Sequence, residues 1–357
     1  MSPMNRREMI GRTASAGLVP LLGSLMVPSS CAAGPYDDAT LIAGEPEAFA
    51  ADSFCIAVLP DTQNYSEHFP KTYLAQTRWL VENRQKRNIS CVLHLGDVTN
   101  RNSAAEWKNA DAAMNVLDEN QLPYFMVPGN HDYSQSGSCQ NRETLFSDYF
   151  PKSRFANRTT FGGTYDKEPD RMENSFHLFD AGGLKFIVIA LEFGPRHDVV
   201  RWANEVVTKH ADRSAILITH AYLYSDDTRY DWKSLGTKQN WNPHSYPIAK
   251  VTNDDIHDGA ELWTNLVSKH PNFLFTFNGH VLNDGLGRLT TKSPMDREVH
   301  QILVNYQMRP QGGDGWLRLL EFKADRTTVE VHDYSPTRNE HNVSSQNRFS
   351  LTIQPVV

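Results

Sequence analysis

Residues 124–132 read Tyr-Phe-Met-Val-Pro-Gly-Asn-His-Asp, and this stretch decides the fold. Its first four residues are apolar, and a Pro-Gly turn and three polar side chains follow them at once. A short apolar run bounded by Pro and Gly is typical of a strand that is buried on both faces. Polar side chains directly after such a strand lie at the carboxyl edge of a sheet, where α/β proteins bind their ligands. The stretch therefore predicts an α/β fold with a functional site at that edge.

Similar apolar runs recur along the chain and alternate with helical patterns. The runs are Phe54 to Leu59, Cys91 to Leu95, Tyr124 to Val127, Lys185 to Leu191, Ala215 to Ile218 and Phe273 to Phe277. Apolar residues recur at helical spacing in four segments. These are residues 70–87, the segment after a Ser103–Glu106 capping box, the segment around Trp202, and residues 262–267. This alternation predicts a layered α/β fold, and the pattern beyond residue 285 predicts antiparallel strands.

Five of the runs end in residues that bind metals. They are followed by Asp61, by Asp97, by Asn130 with His131, by His220 and by His280. Each residue alone is more often a turn former or an ordinary histidine. Together, at the ends of successive strands, oxygen and imidazole ligands suit Mn, Fe or Zn, and a shared carboxylate suits two ions.

At these residues the sequence resembles the calcineurin-like metallophosphoesterases over about residues 53–285. Their pattern is Asp-x-His, Gly-Asp, Gly-Asn-His-Asp/Glu, a His, and Gly-His-x-His, and its most specific part here is Gly-Asp at 96–97 with Gly-Asn-His-Asp at 129–132. The resemblance implies a four-layer αββα sandwich of two mixed sheets, with metals at the carboxyl ends of the strands.

The resemblance also assigns roles to single residues. Asp97 would bridge two divalent or trivalent ions, with Asp61 and Gln63 at the first ion and Asn130, His220 and His280 at the second. A hydroxide held by the ions would attack phosphorus. His131 would protonate the departing alcohol, as a general acid does.

Two positions depart from the family pattern, and both concern the first ion. Gln63 stands where the pattern has His, and an amide oxygen is a weaker ligand than an imidazole. Leu282 stands where the pattern has its last His and cannot bind a metal. Asn283 or Asp284 is the candidate replacement, and the first ion is expected to bind more weakly than the second.

Three further expectations concern the surroundings of the centre. Asn100 lies where related enzymes often place the partner of the catalytic His, and the alternative is an ordinary turn residue. Residues 221–255 form a long aromatic-rich connection, and connections of that length are usually functional. Its aromatics, with Tyr222, Trp232 and Trp241 as candidate substrate contacts, either cover the metal cleft or anchor the loop to the body.

The first 33 residues predict export. Arg6 and Arg7 precede a weakly apolar run from residue 14 to residue 27, which is the pattern of a twin-arginine signal. Such a signal implies the twin-arginine export machinery as a partner and a periplasmic or extracellular location. Lipid anchoring at Cys31 is not expected, because Pro28 occupies the position where a lipobox has Leu. Residues 34–52 are predicted to be a linker, and residues 286–357 are predicted to be strands that complete the second sheet.

Composition limits the function further. The chain has 357 residues, 39% of them hydrophobic and 22% charged, with a formal charge of -7, which excludes a disordered chain and gives no basis for nucleic-acid binding. No transmembrane segment is expected in the mature form. The sequence predicts an exported, metal-dependent phosphoric ester hydrolase for a small substrate, monoester or diester, with diesters slightly favoured. The alternative is a binding protein that has lost metals from the same scaffold.

Overall fold

Buried apolar runs form the strands that carry the site. In the computed structural model, which describes residue 34 and residues 36–356, the strands are, in chain order, β1 (Leu41–Ala43), β2 (Phe54–Leu59), β3 (Ile89–His94), β4 (Tyr124–Met126), β5 (Phe161–Thr164), β6 (Ser175–Ala181), β7 (Leu184–Leu191), β8 (Ser214–Thr219), β9 (Phe273–Asn278), β10 (Leu286–Lys292), β11 (Glu298–Val304), β12 (Leu317–Phe322), β13 (Thr328–Ser335), β14 (Glu340–Asn342) and β15 (Phe349–Thr352).

Helices occupy most of the longer connections. They are α1 (Gln63–Glu67), α2 (Pro70–Glu82), α3 (Ala104–Glu119), α4 (Phe146–Tyr149), α5 (Lys152–Phe155), α6 (His197–Lys209), α7 (Trp232–Leu235), α8 (Pro247–Val251), α9 (Gly259–Asn265) and α10 (Pro310–Gly313). As predicted, Ser103 caps α3 by accepting a hydrogen bond from the Glu106 backbone N–H. The Glu106 side chain accepts from the backbone N–H of Arg101, at 2.8 Å, and so fixes the loop that precedes this helix.

The strands form two mixed sheets. The first has the order β1-β14-β13-β12-β2-β3-β4, with β15 beside β13, and the second has the order β10-β11-β9-β8-β7-β6-β5. Strands β2, β3 and β4 run parallel in the first sheet, and β7, β8 and β9 run parallel in the second. Their carboxyl ends therefore carry loops at one edge of each sheet, as the sequence predicted.

Alternation along β2 shows how the layers stack. Ile56 and Val58 belong to the apolar core that also contains Val188 of the second sheet. Ala57, between them, belongs to a different core, which contains Trp107 of α3. A third core packs α6 and α9 against the outer face of the second sheet. The result is the predicted four-layer αββα sandwich, because successive side chains of a strand point to opposite faces.

The structure corrects the prediction for the C-terminal strands. Only β10 and β11 join the second sheet, whereas β12 to β15 join the first sheet through the antiparallel pairing of β12 with β2. Alternation of apolar residues shows that a segment is a strand, but it carries no information on which of two sheets it joins.

The predicted linker, residues 34–52, also contains ordered structure. Strand β1 pairs with β14, and the buried guanidinium of Arg87 donates hydrogen bonds to the Glu45 carboxylate at 3.1 Å and to the Pro46 carbonyl at 3.0 Å. Residues 1–33, which the sequence assigns to an export signal, lie outside the described residues. Within the part of the chain that is described, no helix combines the length and apolar character needed to cross a membrane.

Candidate metal centre

The loops after five strands place their polar side chains at one centre. An oxygen of Asp97, a ring nitrogen of His220 and a ring nitrogen of His280 lie within 4.8 Å of one another. All three residues are buried. They follow β3, β8 and β9, so that both sheets contribute to the centre.

Asp97 lies in the middle of the centre and depends on its neighbours for space. It adopts a left-handed backbone conformation, with φ of 47°, and its Oδ1 accepts a hydrogen bond from the His131 backbone N–H at 2.9 Å. Its carboxylate occupies the space in which a Cβ of residue 129 would lie, so that only glycine fits at Gly129. The Gly-Asp and Gly-Asn-His parts of the sequence are therefore packed directly against each other.

Asp132 holds the two loops together, although sequence reasoning assigned it no role. Its buried carboxylate accepts hydrogen bonds from the backbone N–H groups of Val98, Thr99 and Gly129 at 3.0, 2.8 and 2.8 Å. Burial, with the nearby charge of Asp97, raises its pKa. The buried backbone N–H groups of two adjacent turns must have acceptors. From this requirement Asp132 could have been identified.

His220 and His280 are each fixed by a backbone carbonyl. Nδ1 of His220 donates to the Leu95 carbonyl at 2.8 Å, which leaves Nε2 toward the centre. Nε2 of His280 donates to the Trp241 carbonyl at 2.8 Å, which leaves Nδ1. Such a hydrogen bond sets which nitrogen of an imidazole is able to bind a metal.

The electrostatics of the centre call for added positive charge. Burial alone would lower the pKa of His220, but Asp97 and Asp61 raise it to about 9. Burial raises the pKa of Asp61, and the Asp97 carboxylate adds to this effect. Both shifts have the direction expected when two acidic groups and an imidazole are buried together.

Two buried amide oxygens, Oε1 of Gln63 and Oδ1 of Asn130, have no hydrogen-bond partner among the described residues. Nε2 of His220 lies 3.2 Å from Asp97 Oδ1, with which a protonated imidazole forms an ion pair. An unsatisfied buried polar group costs about 1–3 kcal/mol, and metal ions would satisfy both amide oxygens. The donor set of oxygens and imidazole nitrogens fits Mn, Fe or Zn.

Asn305 is a member of the centre that sequence reasoning missed. Its Nδ2 donates to Asp61 Oδ2 at 3.0 Å, and the His280 backbone N–H donates to both oxygens of the same carboxylate at 3.1 and 3.0 Å. Asn305 directly follows β11, so the rule that polar residues after strands converge would have found it if it had been applied beyond residue 285.

The residues expected to complete the first ion site have other contacts. Asn283 is exposed, and its Nδ2 donates to Ser225 Oγ at 2.8 Å. The Asp284 carboxylate accepts from the Leu286 backbone N–H at 3.3 Å. Leu282 itself is half-buried. Ligation by Asn283 or Asp284 stays a prediction.

The contact between His131 and Asn100 uses a different atom from the expected one. His131 Nδ1 donates to the backbone carbonyl of Asn100 at 2.9 Å. The amide side chain of Asn100, which the sequence analysis expected to orient His131, instead donates to Glu67 Oε2 at 2.5 Å. A carboxylate is a stronger acceptor than any neutral group, and it holds the amide away from the imidazole.

The aromatic-rich connection is divided between the core and the centre. Tyr222 is fully buried in the core beside the second sheet. This position contradicts its expected role as a substrate contact, since its side chain extends the packing of the strand before it. Trp232 is half-buried and stacks on His244, with ring centroids 6.2 Å apart. Trp241 is half-buried and supplies the carbonyl that holds His280. Tyr246, which the prediction did not select, lies 5.9 Å from the His280 ring.

Comparison with known families and proteins gives the following matches. Residues 56–284 match the family described as calcineurin-like phosphoesterase. The chain is 30% identical over 321 residues to the uncharacterized protein YvnB of Bacillus subtilis (strain 168), in an alignment that covers 85% of this chain and 22% of YvnB. This chain thus spans about a fifth of the length of that relative.

Solved structures with a similar arrangement have low sequence identity. A purple acid phosphatase, PPD1 from yellow lupin (Lupinus luteus) seeds, has a TM-score of 0.46 at 12% identity and covers 87% of this chain and 55% of its own. A 5'-nucleotidase precursor from Thermus thermophilus has a TM-score of 0.43 at 10% identity and covers 84% of this chain and 54% of its own.

The first prediction concerns Asp97→Asn. Since this carboxylate lies between the other ligands, its loss should reduce metal affinity by more than the roughly 10–100-fold that loss of an outer partner costs. Elemental analysis and metal titration of the purified variant measure the effect, with thermal unfolding as a check on folding. Asp212→Asn, at an exposed side chain on the surface, is the matched control. Full metal content in Asp97→Asn would remove Asp97 from the metal centre.

The second prediction concerns unequal ion sites. Titration of the wild-type protein should resolve one tight and one weak ion, and Leu282→His should tighten the weak one by at least about tenfold, or about 1.4 kcal/mol. Asp212→His adds the same imidazole at an exposed surface side chain and should leave both affinities unchanged. Two ions of equal and tight affinity in the wild type would show that the first site is already complete.

Proposed function

This chain belongs to the calcineurin-like phosphoesterase family, and we propose that it hydrolyses phosphoric esters at a centre of two metal ions. The observation that carries the proposal is the cluster of Asp97, His220 and His280, whose ligand atoms lie within 4.8 Å of one another. The buried oxygens of Gln63 and Asn130, which have no partner among the described residues, support it. A scaffold that had lost its metals would be expected to satisfy those atoms with other protein groups. A purely binding role is therefore not favoured.

The ligands divide into two groups that share Asp97. The first ion would be held by Asp61, Gln63 and Asp97, and the second by Asp97, Asn130, His220 and His280. When bound, the ions would neutralise phosphate oxygens and make water a better nucleophile. We infer that the second site is the tighter one, because both of its imidazoles are already oriented by carbonyls.

His131 would supply the proton for the leaving group. Its Nδ1–H is engaged with the Asn100 carbonyl, so Nε2 is the nitrogen available to a substrate. The side chain is half-buried, whereas the metal ligands His220 and His280 are buried, which is consistent with a side chain at the surface of the cleft. A protonated Nε2 would donate to the ester oxygen as the P–O bond breaks.

The cations near the centre favour diesters slightly over monoesters. A monoester carries an additional negative charge, which usually requires a further cationic partner. Arg229, in the aromatic-rich connection, is engaged by Gln301 and Thr291 at 2.6 and 2.9 Å and lies over the Trp263 ring. Arg101 forms an ion pair with Glu67 at 2.8 Å. Neither guanidinium is held in a position committed to a phosphate group.

The third prediction tests the role of His131. General acid catalysis contributes about 10²–10⁴-fold, so His131→Ala should lower turnover of an alkyl phosphodiester on that order. It should lower turnover of bis-p-nitrophenyl phosphate much less, because nitrophenolate departs without a proton. Steady-state kinetics on both substrates, with metal content measured in parallel, give the comparison.

The matched control for this experiment is His197→Ala. His197 is an exposed histidine at the start of α6 that pairs with Asp255, and the substitution should leave both rates unchanged. Equal losses on the two substrates in His131→Ala would reassign His131 to stabilisation of charge. Loss of metal would make it a structural residue, and an inactive wild-type protein with both ions bound would favour the binding role.

We also propose that the protein is exported in folded form by the twin-arginine machinery. The support is the Arg6-Arg7 pair before the weakly apolar run of residues 14–27. Export in folded form would allow metal to be inserted before translocation.

The fourth prediction concerns this signal. Replacing both Arg6 and Arg7 by Lys should abolish export, because the machinery recognises the arginine pair. Cell fractionation and immunoblotting locate the protein, and Arg12→Lys, outside the pair, should be exported normally. Unchanged export of the double variant would exclude this route.

A further inference from the structure

A chain of hydrogen bonds joins α1 to His131 through the loop after β3. It runs from the Glu67 carboxylate to the Asn100 side chain, and from the Asn100 carbonyl to His131 Nδ1. We propose that Glu67 is a positioning residue for His131 and acts through Asn100, whose side chain it holds and whose carbonyl accepts from His131. This inference rests on the proposed role of His131 as the group that protonates the departing alcohol.

The first link is the contact between the Glu67 carboxylate and the loop after β3. Its side chain is 12% exposed, and each of its two oxygens contacts one of two consecutive residues. Oε2 accepts from Asn100 Nδ2 at 2.5 Å, and Oε1 lies 2.8 Å from a guanidinium nitrogen of Arg101. Hydrogen bonds to a carboxylate are stronger than those between neutral groups, so this contact restrains the Asn100 residue as a whole.

The second link is the orientation of the Asn100 carbonyl. Gly137 approaches this oxygen so closely that a Cβ at residue 137 would overlap it. The carbonyl is thus confined by the Gly137 backbone and by the imidazole of His131, while Glu67 holds the side chain of the same residue. A peptide group held at several points has little freedom to rotate.

The third link is the imidazole itself. The carbonyl fixes the proton of His131 on Nδ1, which leaves Nε2 for the substrate. The peptide group that contains this carbonyl also donates its N–H, that of Arg101, to the Glu106 carboxylate at 2.8 Å. Movement of the carbonyl would disturb the direction in which Nε2 points.

Helix α1 gives this chain a second connection to the centre. The helix has five residues, begins at Gln63, a proposed ligand of the first ion, and ends at Glu67. The position of the first ion and the position of His131 thus depend on one short helix.

The experiment first turns the Glu67–Asn100 hydrogen bond into a repulsion and then restores it with donor and acceptor exchanged. Asn100→Asp places two carboxylates 2.5 Å apart and should expel the loop from its position. We expect a loss of roughly 10–100-fold for the alkyl phosphodiester, which is smaller than the about 10²–10⁴-fold contributed by the general acid itself, and a loss of about threefold or less for bis-p-nitrophenyl phosphate. Metal content should not change.

The double variant Glu67→Gln with Asn100→Asp restores a donor and an acceptor in the opposite order. It should recover most of the turnover of the alkyl ester, since the backbone carbonyl of residue 100 is unchanged. Glu67→Ala, which introduces no repulsion, should show the same selectivity between substrates with a smaller loss, and it serves if Asn100→Asp does not fold. His197→Ala, at the exposed histidine that pairs with Asp255, is the matched control, with both rates unchanged.

The outcomes separate this inference from the proposed function. If His131→Ala slows the alkyl ester selectively while Asn100→Asp and Glu67→Ala slow neither substrate, Glu67 is not a positioning residue and the proposed function stands. Equal losses on both substrates, loss of metal, or no recovery in the double variant would show that the contact only supports the loop, and would overturn the inference. If His131→Ala itself shows no selectivity, the proposed acid and the inference that rests on it both fail.

Discussion

The carboxylate of Asp97 carries a negative charge at a position that is 1% exposed to solvent, and the surrounding structure is arranged around that charge. Burial alone would raise the pKa of Asp97, but His220 and His131 hold it well below its usual range. Gly129 leaves the space that the carboxylate occupies, and the backbone N–H of His131 donates to it. An isolated buried charge is strongly unfavourable, so the residues around Asp97 are those that supply positive charge, hydrogen bonds or a place for a cation.

Backbone carbonyls provide the precision of the site. The three histidines of the centre, His131, His220 and His280, each donate one ring N–H to a main-chain oxygen, at 2.8 to 2.9 Å. Main-chain oxygens are placed by the fold rather than by flexible side chains, so each imidazole presents a defined nitrogen to the centre. The carbonyls of Leu95 and Asn100 lie in the loop after β3, and that of Trp241 lies in the aromatic-rich connection. The fold is therefore the common determinant of the orientation of all three imidazoles.

Residues that follow strands within residues 53–285 could be predicted from the sequence, because strand periodicity and turn residues are local signals. Asn305 also follows a strand, beyond residue 285, and the same local signals reach it, whereas Glu67 follows no strand and could not be found in this way. Asn305 contacts Asp61 across 244 positions, and Glu67 acts through a residue whose side chain was expected to point elsewhere. The sequence also could not show which sheet β12 joins, because an alternating pattern identifies the buried face of a strand but not the strand beside it. Tyr222 was misassigned since an aromatic residue near a strand end fits the core as well as a cleft.

The contacts of Asp61 give an independent reason for the two ion sites to differ. Both oxygens of this carboxylate already accept hydrogen bonds from the His280 backbone and the Asn305 side chain. At the proposed second site, by contrast, His220 and His280 each keep a ring nitrogen that their carbonyl hydrogen bond does not use. An ion at the proposed first site would share Asp61 with protein donors, whereas an ion at the second would meet two imidazoles already turned toward it. The asymmetry between the sites therefore follows from the hydrogen bonds of Asp61 as well as from the residues at positions 63 and 282, and the same hydrogen bonds link the occupancy of the first site to the backbone of a ligand of the second.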